Sequence, residues 1–275
     1  MDIFYTKDEI RNNPSIKNNM ETHLVDKYRK QGPRFIIDVG SKLGLRYDTI
    51  ATGVVYFHRF YMQYSFMDFD KYVLAACCLF LAGKVEETPK KIKDIIKVSK
   101  SILTEDEYSH FGEDPKDELM TLERILLQTI RFDFNVPHPY TYLLKYIKTL
   151  KALKPDMKEE EHNKLQKIVQ MTWTFINDSL STTLCLQWEP EIIAIALVHL
   201  AAKLIKVDLN QWFGFNKGFP SFNQDNWWAK FVVGLEPELL EDICHQVLDL
   251  YSSRSSKTSF TKSELIEIEQ LRRKE

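Results

Sequence analysis

Two side chains capable of polar chemistry sit where apolar ones are expected. Lys84 closes a helically spaced apolar series, Val73, Ala76, Cys77, Phe80 and Leu81, in which residues three and four apart share one helix face. Glu123 falls on the same face as Leu119, Leu126, Leu127 and Ile130 of another apolar-patterned segment. A charge on such a stripe needs a counter-charge, a carbonyl or water, because leaving it buried and unpaired is costly. The two charges therefore either pair inside the chain to position two helices, or form one polar spot on a dry surface that another molecule binds. Spacing leaves both readings open, and Lys203 with Glu241 repeats the pattern later in the chain.

Catalytic patterns are missing elsewhere. There is no GxG, and Gly83-Lys84 lacks the preceding glycine and the following Ser or Thr of a phosphate-binding loop. No HExxH and no aspartate-rich cluster offers a metal site, so no cofactor is expected. The four cysteines, Cys77, Cys78, Cys185 and Cys244, lie inside apolar helical patterns rather than in CxxC pairs. They read as reduced core residues, and Cys77 with His58 is not expected to form a nucleophile and base. Glu159-Glu160-Glu161 reads as a solvated run, and Trp227-Trp228 as core. A formal charge of -2 argues against a general nucleic-acid binder. The start, MDIFYTKDEI, has no apolar signal region, and the longest apolar run, Val73 to Gly83, is too short to span a membrane. The expectation is a soluble protein of a reducing compartment.

Helices must position these residues, since period-two alternation is scarce and only nine glycines are available for turns. Proline at the first helical position, where its missing N–H costs nothing, marks starts at Pro89, Pro115, Pro139, Pro190 and Pro237. Asp114 before Pro115 has the side chain of an N-cap, with Asp117 and Glu118 in the turn that favours acids. Helices are expected at about 28–43, 48–64, 70–85, 90–101 and 115–130, then at about 139–153, 161–180, 190–207, 224–233 and 237–251. The two sets look duplicated. Leu81-Ala82-Gly83-Lys84-Val85 matches Leu200-Ala201-Ala202-Lys203-Leu204, Leu122-Glu123-Arg124-Ile125 matches Leu240-Glu241-Asp242-Ile243, and Phe57 matches Phe175. Their offsets of 119, 118 and 118 residues (81 to 200, 122 to 240, 57 to 175) suit a duplicated domain. Phe4 to Lys17 reads as an amphipathic entry segment, 209–226 as an aromatic-rich loop, and Ser252 to Ser259 as a flexible spacer before a charged end.

Four stretches carry a family resemblance: RFIIDVGSKLGL (34–45), VVYFHRFYM (54–62), LAGKVEETPKK (81–91) and LERILLQTIRFDF (122–134). They resemble the first cyclin box, and the second half resembles the second box, together over about residues 4 to 252. The resemblance implies an all-α protein of two tandem five-helix cyclin boxes with flanking N- and C-terminal segments. The expected layout is an N-terminal extension (1–27), a first box (28–136), a second box (137–252), and a spacer with a charged C-terminal segment (253–275).

What the resemblance implies for function is a non-catalytic regulatory subunit, similar to the transcriptional members of the family. Its implied partner is a cyclin-dependent protein kinase, held as a heterodimer in the nucleus and directed at the C-terminal tail of RNA polymerase II. Direct nucleic-acid or membrane binding is not implied. Residues matching Lys84 and Glu123 contact the backbone of the kinase's regulatory helix in cyclins. Those matching Val85, Glu86, Leu127, Phe132 and Phe134 complete the kinase-binding set. Two departures stand out. His58 replaces the aspartate that partners the residue matching Arg34 in cell-cycle members. Pro33 and Gly40 stand where a methionine and a tryptophan would line a docking patch, so recruitment of Arg-x-Leu peptides is not expected. A cyclin-fold general transcription factor that binds DNA is the alternative, but it should be basic and carry a zinc ribbon.

Overall fold

A computed structural model describes residues 4–214 and 226–252, and among them there is no β-strand. The all-α expectation holds. The chain forms two compact units, Met1–Val136 with Leu180–Gln187, and Pro137–Ser179 with Trp188–Glu275.

The first unit opens with α1 (Lys7–Arg11) and α2 (Pro14–Lys17), where the sequence suggested one amphipathic segment. Thr6 and Glu9 close a reciprocal capping box on α1: the Thr6 N–H donates to the Glu9 carboxylate at 2.7 Å. Asn13 caps α2 and accepts from the N–H groups of Ser15 and Ile16. Then come α3 (Thr22–Lys42), α4 (Tyr47–Phe60), α5 (Lys71–Val85), α6 (Ile92–Ile102), α7 (Glu105–Ser109) and α8 (Pro115–Thr129). Helix α3 starts six residues before the expected Tyr28 and runs through Pro33. Its buried face, with Val25, Gly32, Phe35, Ile36, Val39 and Gly40, is continuous across the proline, and tertiary packing outweighs the one hydrogen bond that proline removes.

Helix α5 is the axis of this unit, packed against α3, α4, α6 and α8. Asp70 caps it, accepting from the N–H groups of Tyr72 at 2.8 Å and Val73 at 3.2 Å. The sequence pattern suggested one apolar stripe. Instead Tyr72 to Leu79, Leu81, Ala82 and Gly83 are all buried, as befits a helix that is apolar on every side. Pro89 does not start a helix. Residues 86–91 fold back over the end of α5, with Glu87 in the left-handed region and the Thr88 N–H bonded to the Gly83 carbonyl at 2.9 Å. Gly83 permits this approach, since a Cβ there would lie 3.3 Å from the Thr88 carbonyl oxygen. Helix α6 therefore starts only at Ile92.

Gly32 has a stricter role. A Cβ at this position would meet the Phe57 ring at 2.0–2.6 Å, and Phe57 is fully buried. Gly32→Ala is expected to destabilise the first unit by about 1–3 kcal/mol through overpacking, despite the gain in helix propensity. A urea denaturation midpoint equal to or above wild type would contradict this.

The second unit contains α9 (Pro139–Leu153) and α10 (Glu159–Ser179); the chain then contributes α11 (Leu184–Gln187) to the first unit before returning with α12 (Pro190–Leu204), α13 (Leu209–Phe213), a short 3₁₀ turn (Trp227–Lys230) and α14 (Pro237–Ser252). Helix α12 takes the place that α5 has in the first unit: it packs against α9, α10 and α14, and Ile193 to Val198, Leu200 to Ala202 and Leu204 are buried. The helix expected at 224–233 is only the 3₁₀ turn. The expected loop from 209 includes α13, which Asp208 caps and Gly214, at φ 76°, ends. Phe215, Phe219, Phe222, the spacer from Ser253 and the charged C-terminal segment lie outside the described residues.

Candidate functional site

The end of α5 and the middle of α8 meet through Lys84 and Glu123. The Lys84 ammonium donates to both carboxylate oxygens of Glu123, at 2.7 and 2.9 Å, and lies 4.0 Å from the centre of the Phe80 ring. The pair is asymmetric: 44% of the Lys84 side chain is exposed but only 10% of Glu123. An internal bridge and an outward-facing cation thus coexist. The corresponding pair in the second unit, Lys203 and Glu241, is looser, at 3.6 Å, with both side chains about equally exposed.

Around this pair the remaining predicted residues occupy three settings. Val85 and Leu127 are half-buried. Glu86 accepts a hydrogen bond from the Thr52 hydroxyl at 2.7 Å. Phe132 stands largely in solvent, 61% exposed, and Phe134 is 37% exposed, with ring centres 6.3 Å apart. Arg131 and Phe132 are consecutive residues in the left-handed region, at φ 54° and 57°. Non-glycine residues adopt that conformation at a cost of about 1–2 kcal/mol each. The turn is held by the Phe132 N–H on the Leu127 carbonyl and the Asp133 N–H on the Ile130 carbonyl, both 3.0 Å, and by the Tyr56 hydroxyl on the Phe134 carbonyl, also 3.0 Å.

Sequence reasoning missed the two residues behind this surface. Thr52 and Tyr56 are four apart on α4, hence on one face, and one pins Glu86 while the other pins the backbone at Phe134. Their signal was available: two hydrogen-bonding side chains within the apolar run of α4, both buried. Burial raises the Tyr56 phenol pKa, so the hydroxyl remains a donor.

The residues singled out on α3 and α4 sit in different settings. Arg34 does not face His58; it is exposed, 3.9 Å from Asp38 on its own helix. The arginine near His58 is Arg29, which is buried and donates to the Tyr61 carbonyl at 3.1 Å. Arg29 continues the buried series Val25, Gly32 and Ile36, whereas Arg34 is turned about 140° from it at 100° per residue. His58 is fully buried, with Nε2 3.0 Å from the Leu180 carbonyl. Pro33 and Gly40 are buried as well, and a Cβ at Gly40 would strike Ile50 at 2.6 Å, so neither residue lines a surface groove.

The apparent nucleophiles are inert. Cys77 and Cys78 are fully buried, and burial raises both thiols; a thiol so raised is not a thiolate near neutral pH. Among the described residues no group of three His, Cys, Asp or Glu is placed to hold a metal ion, and no helix is long and apolar enough to cross a membrane.

Known proteins resemble this chain in sequence and in fold. The family model for the cyclin N-terminal domain matches residues 2–135. Cyclin-K of Homo sapiens is 54% identical over 249 residues, covering 90% of this chain and 40% of the relative. Cyclin-K of Danio rerio is also 54% identical over 249 residues, covering 90% of this chain and 55% of the relative. The chain thus spans about half or less of the length of these relatives. Among solved structures, a chain of the yeast RNA Pol II CTD kinase CTDK-1 complex superposes with a TM-score of 0.68 at 17% identity, over 98% of this chain and 82% of that one. At that identity the likeness shows the fold. With two all-α units and a buried central helix in each, this chain carries a match to the cyclin N-terminal domain over residues 2–135 and resembles Cyclin-K over most of its length.

Proposed function

We propose that this chain is the non-catalytic regulatory subunit of a protein serine/threonine kinase complex. It binds a transcriptional cyclin-dependent kinase as a heterodimer in the nucleus and turns it on toward the C-terminal tail of RNA polymerase II, promoting elongation. The observation that carries this reading is the surface where the end of α5 meets α8. There a half-exposed cation is fixed by a buried carboxylate, and the turn after α8 exposes Phe132 and part of Phe134. The 54% identity to Cyclin-K supports it, as does the shared fold with a chain of a complex described as an RNA Pol II CTD kinase.

The mechanism is a population shift. A kinase of this type transfers phosphate only when the glutamate of its regulatory helix reaches the lysine on its third strand. A rigid surface that binds only the inward position of that helix moves the equilibrium by its differential affinity, and about 5.5 kcal/mol carries it from 1:99 to 99:1. Lys84 offers donors to the carbonyls at the end of that helix, and Phe132 and Phe134 offer apolar area. Pinning by Thr52, Tyr56 and Glu123 means little ordering cost remains to be met on binding. The chain supplies no group to the phosphoryl transfer itself.

The test is to add the purified chain to transcriptional kinases and follow phosphorylation of a heptad-repeat peptide. Activity is expected to rise by up to about a hundredfold with the cognate kinase and to be absent from the chain alone. Phe132→Ala should leave melting unchanged, since the ring is mostly exposed, and should weaken kinase binding by about 1.5–3 kcal/mol. The reading falls if no such kinase binds, or if the isolated chain turns over ATP.

A further inference from the structure

Helix α6 and the segment before it concentrate positive charge in a chain that is otherwise slightly acidic. Residues 90–101 hold Lys90, Lys91, Lys93, Lys97 and Lys100 against one acid, Asp94. The apolar side of α6, centred on Ile95 at 1% exposure, packs inward. Lys93, Lys97 and Lys100 follow an i, i+4, i+7 spacing on the opposite side and all are exposed. The end of α3 extends the face: Lys42 Nζ lies 3.4 Å from the Ser101 hydroxyl. None of these lysines bridges a carboxylate among the described residues. Elsewhere Lys84, Lys154, Lys164 and Lys203 each have an acidic partner.

We propose that this face of α6, with Lys42, binds a polypeptide segment carrying several phosphates. Like charges held on one helix face repel, and an anionic ligand relieves that repulsion. A phosphorylated side chain brings about -1.5 to -2 charges and three acceptor oxygens, which suits ammonium groups acting as point charges. Spacing fits as well. At 1.5 Å per residue, Lys93 to Lys97 spans about 6 Å and Lys93 to Lys100 about 10 Å along the axis. An extended peptide rises about 3.3 Å per residue, so phosphates two or three residues apart match these intervals. A nucleic acid fits less well. The segment contains no arginine and no aromatic residue for base stacking or forked base contacts, and the nearby Tyr108 is engaged in a stack with Phe111, ring centres 5.1 Å apart. Resting on the function proposed above, such a ligand is the kinase's own substrate tail after a first round of phosphorylation, which the face would retain near the kinase.

The experiment uses the isolated chain and a fluorescent peptide with phosphoserines two and three residues apart. Its unphosphorylated counterpart and a single-stranded RNA of equal charge serve as comparisons. Saturable binding of the phosphopeptide is expected, at least tenfold tighter than either comparison and falling with added salt. Lys93→Glu with Lys97→Glu should lower that affinity at least tenfold without changing the melting temperature, and Lys93→Arg with Lys97→Arg should keep it. Absence of phosphopeptide binding, tighter binding of the RNA, or an unchanged affinity in the glutamate variant would each overturn the proposal. Since no kinase is present, these outcomes are separate from the activation test.

Discussion

Lys84→Ala is expected to weaken binding of the partner kinase by about 2–5 kcal/mol, the range for breaking a buried charged hydrogen bond at an interface. It is also expected to lower stability. The Glu123 carboxylate, only 10% exposed, would lose the cation that compensates its burial, and an uncompensated buried charge costs up to about 3–5 kcal/mol. Glu123→Ala should behave differently. It frees an ammonium that is already nearly half in water and remains near the Phe80 ring, so stability should fall by only about 1 kcal/mol. Kinase binding should still weaken, since nothing then fixes Lys84 in place. A third variant separates the two roles. Lys84→Met with Glu123→Leu removes both charges and keeps the volume, which restores stability but not binding. Melting curves beside binding isotherms for the three variants provide the check. Affinity that recovers together with stability in the double variant would make the pair internal architecture only.

Acid should destabilise both units through one histidine in each whose surroundings disfavour its charged form, the fully buried His58 and the half-buried His199. In the first unit, burial and then the neighbouring Arg29 charge push His58 down to about 3, against the opposing effect of its bond to the Leu180 carbonyl. In the second, burial and then Lys203 push His199 down to about 4. Both groups have pKa values near 6.5 when unfolded. The direction follows from proton uptake. Below about pH 6.5 the unfolded chain takes up a proton that the folded unit refuses, so the contribution is intact above that pH and is lost as pH falls toward the folded value. Each unit should lose about 1.4 kcal/mol per pH unit across that window. Arg29, lowered by burial to about 10, stays charged throughout and does not contribute to the slope. Urea midpoints measured from pH 7.5 to 4.5 test this, with His58→Gln keeping a donor for the Leu180 carbonyl but removing the titration. An unchanged slope for the first unit in that variant would refute the assignment to His58.

Much of the candidate surface was legible because a charge on an apolar stripe is a conspicuous anomaly. That test found Lys84 and Glu123, while the contact between them is a finding of the structure. Applied to α3 it would also have found Arg29, which falls on the series Val25, Gly32 and Ile36. Attention went to Arg34 through the resemblance, and the five residues separating the two put them on different faces. The fold-back at 86–91 was hidden for another reason: Thr88-Pro89 has the composition of a helix start. Whether it becomes one depends on the long-range approach to Gly83, which local composition does not encode.

By itself the sequence determined the helical class, the apolar character of α5 and the charges that interrupt the apolar series. These follow from short-range periodicity and capping, where each residue's neighbours are its own chain segment. Only the tertiary structure decided that α11, lying between two helices of the second unit, belongs to the first. It alone showed α5 to be buried on every side rather than along one stripe, and Thr52 and Tyr56 to be the supports behind Glu86 and Phe134. It also decided the unequal exposure of Lys84 and Glu123, which leaves one a cation partly in water and the other its buried anchor. Periodicity tells which residues share a face; exposure depends on what packs against that face, and residues distant in the chain supply that packing.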